Sequence, residues 1–475
     1  MKKYIAATIA ILITTSAFAS DLPLNFDYSF WGRGVFTPLA LSGEFSSVSA
    51  ATATWDNDAF ARLGFTMSAY SSVRTIGIVI TSFWETGVPT IGEQAHIWVK
   101  PLAVLGNESL NDMLIMRIGK WEINDFRGQL GAVEFGSWMV PEGVQDEDTF
   151  FSRFASDSGT HIALRPLQFW NSPWNGLTLM AGVGSSYGGF RAYMNTYPWK
   201  ASDVYMSGHY ALGYELPNIG LARVQFIGQN REVWIEDYPS QGERGAYRLM
   251  QGLQMNRDAD VIEAAFTLTS FDNLKVEIGF KKPLLFETEA RNYTYFRGVY
   301  PFDAPFRTGP SWGDNELEIQ YPTTLSVGAS FINNDFDTMI RVDTSFGGNY
   351  KDIGIREITE GTALGILGSV SYEFVQNIQF GLDIGFNYKA LDTITYADGT
   401  TENLGERDTD IETTERMDVG FAPWVQLNLG GGRLKAGVAV MLPSSERWRF
   451  TGTGWSQIFT GEPVISFPIS VTYSF

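Results

Sequence analysis

The sequence contains no cysteine, although its first residues indicate export. Lys2 and Lys3 precede a short apolar run, and Ser16-Ala17-Phe18-Ala19 has the small-residue pattern of a cleavage site. This arrangement predicts a secretory signal peptide, residues 1–19, cut after Ala19. A retained membrane anchor is the alternative, but the run is too short to span a bilayer as a helix. An exported chain without cysteine has no disulfides, so its stability must come from its topology.

Long apolar runs are also missing beyond residue 19, which excludes a helical membrane protein. Mean hydropathy is −0.07. We find no Pro-, Ser- or Gly-rich linker, so residues 20–475 are predicted to form a single domain. Acidic residues outnumber basic residues, 53 to 34, which gives a formal charge of −19. This charge argues against a nucleic-acid partner, whose phosphates require a basic surface.

Aromatic residues are abundant, and in many segments apolar side chains fall at every second position. In the last twelve residues, VISFPISVTYSF, one register holds Ile469, Val471 and Tyr473, and the other holds small polar residues. Successive side chains of a strand point to opposite faces, so this alternation predicts a strand with one apolar face. A half-buried strand of a soluble sandwich would show the same alternation.

The number of such segments favours a membrane barrel over a sandwich. Short and long connections alternate along the chain, as they do in bacterial outer-membrane barrels. The pattern predicts an all-β fold, a closed antiparallel transmembrane barrel of about 18 strands, with 16 as the alternative. The connections place both termini on the short-turn, periplasmic side. The predicted strands are 24–41, 59–70, 73–84, 93–104, 112–121, 159–168, 176–187, 203–216, 219–231, 258–270, 273–282, 321–332, 335–346, 363–374, 376–388, 416–429, 432–442 and 464–475.

The final strand resembles the C-terminal signal that the outer-membrane assembly machinery recognises, and Tyr473 and Phe475 match its aromatic positions. The long connection 122–158 occupies the place of the constriction loop of general porins, and its Glu134-Phe135-Gly136 resembles the acidic tip of that loop. The stretch from MRIGKWEINDFRG to DEDTFFSRF is similar to spirochaete outer-membrane barrels. These resemblances imply a porin-type barrel, with membrane lipid and the assembly machinery as partners. The candidate constriction residues are Glu134, Asp146, Glu147 and Asp148.

Charged residues in the polar register are candidates for the pore lining. Rings of charge in a pore select among ions and solutes. The alternative is that these side chains only satisfy one another across neighbouring strands. The pore-lining candidates are Arg62, His96, Lys100, Arg117, Arg165, Arg223, Lys275, Arg341, Asp343, Asp383, Arg433 and Lys435.

Other chemistry finds little support in the sequence. The three histidines lack metal-ligand spacing, and no nucleophile or P-loop motif occurs. The acidic stretch 405–412 lacks the EF-hand pattern, although calcium binding by the loops stays open. We therefore predict no enzyme, no cofactor and no metal.

The sequence predicts a passive porin for small hydrophilic solutes, since a barrel of 16 to 18 strands leaves an aqueous channel. A surface adhesin or structural envelope barrel with a blocked lumen is the alternative. The solute, the ion preference and the oligomeric state, a homo-oligomer included, stay open.

Overall fold

The computed structural model describes residues 24–42, 45–49, 61–71, 74–85, 88–105, 111–123, 154–165, 176–185, 208–228, 260–289, 316–333, 335–352, 356–403, 416–442, 446–450, 455–460 and 463–474. Over these ranges the chain is almost entirely β-strand, with one 3-10 helix at Pro101–Leu105. Within the same ranges, none of the helical structure has the length and apolar character needed to cross a membrane.

Twenty-nine strands are present in the described residues. The first fifteen are β1 Leu24–Ser42, β2 Phe45–Ser49, β3 Ala61–Ser71, β4 Ile76–Glu85, β5 Val88–Val99, β6 Leu114–Ile123, β7 Phe154–Leu164, β8 Leu177–Ser185, β9 His209–Leu216, β10 Gly220–Ile227, β11 Val261–Phe271, β12 Leu274–Pro283, β13 Phe286–Glu289, β14 Glu316–Gln320 and β15 Thr323–Asn333. The others are β16 Phe336–Phe346, β17 Asn349–Asp352, β18 Arg356–Thr359, β19 Ala363–Val375, β20 Ile378–Lys389, β21 Thr393–Tyr396, β22 Thr401–Asn403, β23 Arg416–Asn428, β24 Gly432–Gly437, β25 Ala439–Leu442, β26 Glu446–Phe450, β27 Trp455–Thr460, β28 Val464–Ser466 and β29 Ile469–Ser474.

The main sheet closes on itself as an antiparallel barrel. Each strand pairs with the next, and β1 pairs with β3 on one side and with β28 and β29 on the other. The ring has eighteen strands when β24–β25 and β28–β29 each count as one interrupted strand and β2, which pairs only with β1, is left out. Closure leaves no free sheet edge in the ring. The predicted all-β, eighteen-stranded barrel is confirmed.

Several predicted strand boundaries differ from the structure, and two of them differ by about five residues. The segment 93–104 extended past the true end of β5 at Val99, and Pro101 begins the 3-10 helix. Proline has no N–H for a ladder bond, so the strand stops before it. The predicted segment 159–168 begins and ends too late in the sequence, since β7 spans Phe154–Leu164.

The alternation read from the sequence separates the two faces of the wall. On β20, Phe380 and Ile384 are 52% and 47% exposed and point outward. Asp383 and Asn387, in the other register, are each 1% exposed and point inward. Neighbouring β23 behaves in the same way, so the barrel has an apolar outer face and a polar inner face.

Tight turns join the strands at the end of the barrel with short connections. Asn218 and Asn377 adopt positive φ angles of 61° and 67°, and Gly430 and Gly431 adopt 64° and 132°. Asparagine and glycine are the residues that tolerate this conformation in turns. The predicted short joins at 217–218 and 430–431 therefore match the backbone that the turns require.

A second sheet of six strands lies in the long connections, which the sequence predicted as loops. It contains β13, β14, β17, β18, β21 and β22 in that order. At the β21–β22 turn, the backbone N–H and the hydroxyl of Thr400 donate to Asp398 at 2.9 and 2.5 Å. Both bonds favour the ionised carboxylate and lower the pKa of Asp398.

Candidate functional site: the inner wall of the barrel

A polar network crosses three adjacent strands of the inner wall. Arg223 on β10 donates to Glu277 Oε1 on β12 at 3.1 Å, and Thr267 on β11 donates to the same oxygen at 2.7 Å. Ala265 and Gly279 lie in register beside Arg223. Because these positions carry only a methyl group and a hydrogen, the arginine side chain has room to cross β11 and reach Glu277.

The same three strands carry a second ion pair. Gln225 Nε2 on β10 donates to Glu263 Oε2 on β11 at 2.6 Å. Lys281 Nζ on β12 lies 3.5 Å from the other oxygen of Glu263. The Glu263 side chain is 1% exposed, and burial of a carboxylate is costly without hydrogen-bond and charge partners of this kind.

Asp383 is the centre of a further cluster, which spans β19 to β24. Ser369 and Trp424 Nε1 donate to Asp383 Oδ1 at 2.7 and 2.9 Å, and Lys435 Nζ lies 3.3 Å from Oδ2. The Lys435 ammonium also lies 3.9 Å from the centre of a Trp424 ring, within the range of a cation–π contact. The carboxylate and the indole therefore fix the lysine together.

Two more contacts involve predicted pore-lining residues. Arg341 Nε lies 2.7 Å from Asp343 Oδ2 on the same face of β16, and both side chains are buried. Arg117 on β6 donates to His161 Nδ1 on β7 at 3.0 Å. The ring of Trp121 lies 4.9 Å from the ring of His161, so the histidine is held between a cation and an indole.

Tryptophan rings cover glycines on neighbouring strands at three places on the inner wall. A Cβ built on each glycine would lie 2.1, 2.4 or 2.1 Å from an indole atom, so only glycine fits beneath the ring. Each ring thereby lies flat against the wall. The pairs are Trp31 with Gly64, Trp98 with Gly77, and Trp424 with Gly381.

Part of the inner wall is apolar, although the sequence predicted a polar register there. A cluster of buried side chains extends from β6 to β11, beside the polar networks. Ile123 lies in the predicted connection 122–158, and the other members fall in the register predicted to be polar, so alternation alone gave no signal for them. They are Ile115, Trp121, Ile123, Ala163, Met180, Ala211 and Ala265.

The other predicted pore-lining residues are dispersed. His96 Nδ1 lies 3.2 Å from the Lys120 carbonyl oxygen. Lys100 follows β5 rather than lying on it, and its Nζ lies 2.5 Å from Asp112 Oδ1. Arg165 follows the last residue of β7, at the opposite end of that strand from connection 122–158.

Lys275 and Arg433 lie near the short-turn end, on β12 and β24. The backbone of Arg62 pairs with Arg33 and Glu85, and its side chain is outside the described part of the structure. Tyr473 covers Gly432, where a Cβ would lie 2.3 Å from its ring. Phe475, Glu134, Asp146, Glu147, Asp148 and the acidic stretch 405–412 all lie outside the described residues.

The structure pairs charges that the sequence could only count. Three predicted pore-lining cations have a carboxylate partner on the inner wall, and Lys281, in the same register, has one too. Asp343 lies two residues from Arg341 on β16, but the other partners lie on an adjacent strand or two strands away, where only the register brings them together. The pairs are Arg223–Glu277, Lys281–Glu263, Arg341–Asp343 and Lys435–Asp383.

Among the described residues, no group of three or more His, Asp or Glu side chains is arranged to hold a metal ion. The three histidines lie on different strands, β5, β7 and β9.

No model of a known protein family matches the sequence. No curated protein matches it either. Among solved structures, OccAB1 of Acinetobacter baumannii is similar at a TM-score of 0.46 and 9% identity, over 95% of this chain and 96% of that one. An anion-selective porin of Comamonas acidovorans is similar at a TM-score of 0.43 and 9% identity, over 95% of this chain and 100% of that one. OmpF of Salmonella typhi, in complex with daunomycin, is similar at a TM-score of 0.40 and 10% identity, over 95% of this chain and 97% of that one. Values this low carry no statement about function, and the resemblance to spirochaete barrels stays a prediction.

Proposed function

We propose that the protein is a channel of the bacterial outer membrane through which small hydrophilic solutes or ions diffuse passively. The observation that carries the proposal is the eighteen-stranded closed ring with an apolar outer face and a charged inner face. In lipid, a strand can span only if every backbone group is paired, which closure provides. An inner wall of charged and amide side chains suits a watery path.

The outer face supports the membrane placement. Large apolar side chains are exposed around the ring, including Ile118, Ile278 and Val471 at 59%, 47% and 47%. Such exposure would cause aggregation in water and is stable against lipid. Exposed aromatic residues lie near the short-turn ends of the strands, where membrane barrels carry interfacial aromatic girdles. They include Phe26, Tyr28, Phe271, Tyr372 and Phe374.

A blocked barrel that works through its external surface is the second candidate. Complete burial of inward-facing side chains favours it, because Arg341, Glu277 and His161 are each 0% exposed. A side chain that lines an open aqueous path would retain some exposure. The apolar cluster on the inner wall also reduces the polar area available to a solute.

Single-channel recording of the purified protein in a planar bilayer separates the two candidates. A diffusion channel gives stable, stepwise conductance that scales with salt concentration. A blocked barrel gives none above the bare bilayer, although the protein inserts. Absence of conductance in inserted protein would overturn the channel and leave the adhesin or structural barrel.

The remaining partners belong to the same proposal. Membrane lipid surrounds the apolar outer face, and the assembly machinery recognises the end of the last strand through Tyr473 and Phe475. Periplasmic termini follow from the short turns at that end of the barrel.

A further inference from the structure

Prolines interrupt the barrel wall at one level near its closure. Pro423 lies in the middle of β23, and Pro468 separates β28 from β29. Between them, β24 ends at Gly437 and β25 begins at Ala439, so the strand that they flank is itself broken at Val438. Proline in a sheet is normally confined to edges, strand starts and bulges, and this wall has no free edge.

The interruption continues into the first strand. β1 pairs Phe36 with Ile469 but Ala40 with Ser466, so β1 contains one extra residue across this stretch. The stretch includes Pro38, and it faces the part of the last strand that contains Phe467 and Pro468. An extra residue of this kind is a β-bulge, which locally disrupts the ladder.

Each proline removes a ladder bond from the broken strand. Gly437 N donates to the Pro468 carbonyl at 3.0 Å, and Val438 N donates to the Pro423 carbonyl at 3.0 Å. Paired residues of this type normally exchange two bonds, one in each direction. The return bonds cannot form, because neither proline has an N–H. At its midpoint the strand made of β24 and β25 is therefore held by single bonds on both sides.

The side chains at this level are small or apolar on both faces. Inward, Ala422 and Ala439 are 0% and 3% exposed and form an apolar cluster with Trp424. Outward, Pro423 is exposed and Val438 is half-buried. The inner wall is otherwise rich in charge, with Asp383 directly beside Ala422 in register. Because Ser369, Trp424 and Lys435 already hold the Asp383 carboxylate, a molecule that crossed the wall at the break would meet mainly small and apolar side chains.

We propose that the break between β24 and β25 is a lateral exit, through which an acyl chain or another slender apolar molecule passes between the inside of the barrel and the surrounding membrane. The proposal goes beyond the diffusion of hydrophilic solutes. It rests on the membrane placement proposed above, but not on conduction through the barrel. Separation of the strand from β23 breaks fewer hydrogen bonds at this level than it would along an uninterrupted ladder.

A disulfide across the break tests the proposal, since the chain has no cysteine of its own. Ala422 and Ala439 oppose each other between β23 and β25, next to the bonded pair Pro423–Val438. They form a non-hydrogen-bonded pair, with Cα atoms about 4.5 Å apart, which a disulfide can bridge. The double variant Ala422→Cys/Ala439→Cys therefore locks the exit when oxidised and releases it when reduced.

Thr66→Cys/Thr81→Cys is the matched control. These residues form a pair of the same type between β3 and β4, away from the break, and their hydroxyl oxygens lie 3.3 Å apart. Cells producing each full-length variant are given the apolar dye N-phenylnaphthylamine, which fluoresces in lipid, and separately a small sugar. Gel mobility under oxidising and reducing conditions verifies that each lock has formed.

We expect oxidation of the Ala422→Cys/Ala439→Cys variant to reduce dye entry to that of cells lacking the protein, and reduction to restore it. The control lock leaves dye entry unchanged. Dye entry that is equal in the locked and released states overturns the lateral exit. Sugar entry reports separately on the hydrophilic channel, so its absence would overturn that proposal alone.

Restoration of the missing donors gives a second test that needs no oxidation. Pro423→Val/Pro468→Val supplies both absent N–H groups and should lower dye entry severalfold without loss of folded protein. Pro89→Val, at a proline two residues into β5, is the control and should leave dye entry unchanged. Undiminished dye entry in the folded double variant would contradict the role of the prolines.

Discussion

Arg223 and Glu277 form an ion pair at 3.1 Å although a whole strand, β11, runs between them. Their side chains are 1% and 0% exposed. The contact ties β10 to β12 above Ala265, and Thr267 of β11 joins it through the same carboxylate oxygen. Three strands therefore share one buried charge pair, and the loss of either member leaves the other without its counter-charge.

Removal of one member should destabilise the barrel more than removal of both. Glu277→Gln is expected to lower the free energy of unfolding by about 3–5 kcal/mol, because a buried guanidinium is left uncompensated. Arg223→Met/Glu277→Leu should cost less, since no charge remains buried. Urea unfolding from lipid vesicles measures both.

Lys351→Met is the matched control for this pair. Lys351 Nζ lies 3.4 Å from Glu318, but the two side chains are 45% and 35% exposed. A solvent-exposed pair contributes about 0–1 kcal/mol at most. A double variant at Arg223 and Glu277 that is as unstable as Glu277→Gln would show that packing, not charge, accounts for the loss.

Gly381 should tolerate no side chain as long as Trp424 is present. A Cβ there would lie 2.1 Å from the indole, so Gly381→Ala forces the ring away from Asp383 and should cost about 1–3 kcal/mol. Trp424→Ala in the same chain removes the clash, and the two changes together should cost less than their sum. The urea midpoint of each variant gives the comparison.

Gly368→Ala serves as the control on adjacent β19. The nearest atom to a Cβ at Gly368 is the Met339 carbonyl oxygen, at 3.8 Å, which is an ordinary contact. This change should alter stability by less than about 0.5 kcal/mol. Equal losses at Gly381 and Gly368 would mean that the general effect of replacing a strand glycine, rather than the clash with the indole, sets the cost.

The sequence predicted the barrel because its signals are local. Each strand's alternation lies within a few residues, and so does each short turn, such as 217–218 or 430–431. Asn218 and Gly430 are themselves residues that tolerate the positive φ of these turns. The charge pairs depend on register between strands distant in sequence. Glu277 and Arg223 are 54 residues apart, and nothing in either segment specifies the other.

The inner wall was predictable only as a polar register. Ala422 and Ala439 could be assigned to the inward face, but not to an apolar strip beside a broken strand. That strip depends on Pro423 and Pro468 lying at one level on either side of Val438, which the strand order and the pairing determine. The six-stranded second sheet was likewise not predicted. Its strands are three to five residues long, which is too short to show an alternating pattern.

A charge on the outer face should destabilise the barrel according to its depth. Ile384 lies in the middle of β20 and is 47% exposed, so Ile384→Arg should cost about 2–4 kcal/mol in a bilayer. Phe374 lies at the short-turn end of β19 and is 75% exposed. Phe374→Arg should therefore lower the free energy of unfolding by only about 0–1 kcal/mol. Unfolding from lipid vesicles measures the difference. Equal penalties would contradict burial of the ring in a membrane.

Ion selectivity should follow the wall charges that have no opposite partner. Lys275 faces inward on β12, and within the described ranges no carboxylate lies at ion-pair distance from it. Lys275→Gln removes a fixed positive charge from the lumen, so the reversal potential in a salt gradient should shift toward cation selectivity. The charge of a pore wall acts on ions because the confined space screens it poorly.

Lys435→Met/Asp383→Asn is the matched control for Lys275→Gln. This pair lies 3.3 Å apart, and its removal deletes one positive and one negative charge from the same wall. Because the net charge is unchanged, the reversal potential should stay near that of the unaltered protein, although stability falls. A shift of equal size in both variants would mean that wall structure rather than wall charge sets selectivity. No shift in either, with conductance intact, would place the ion path away from Lys275.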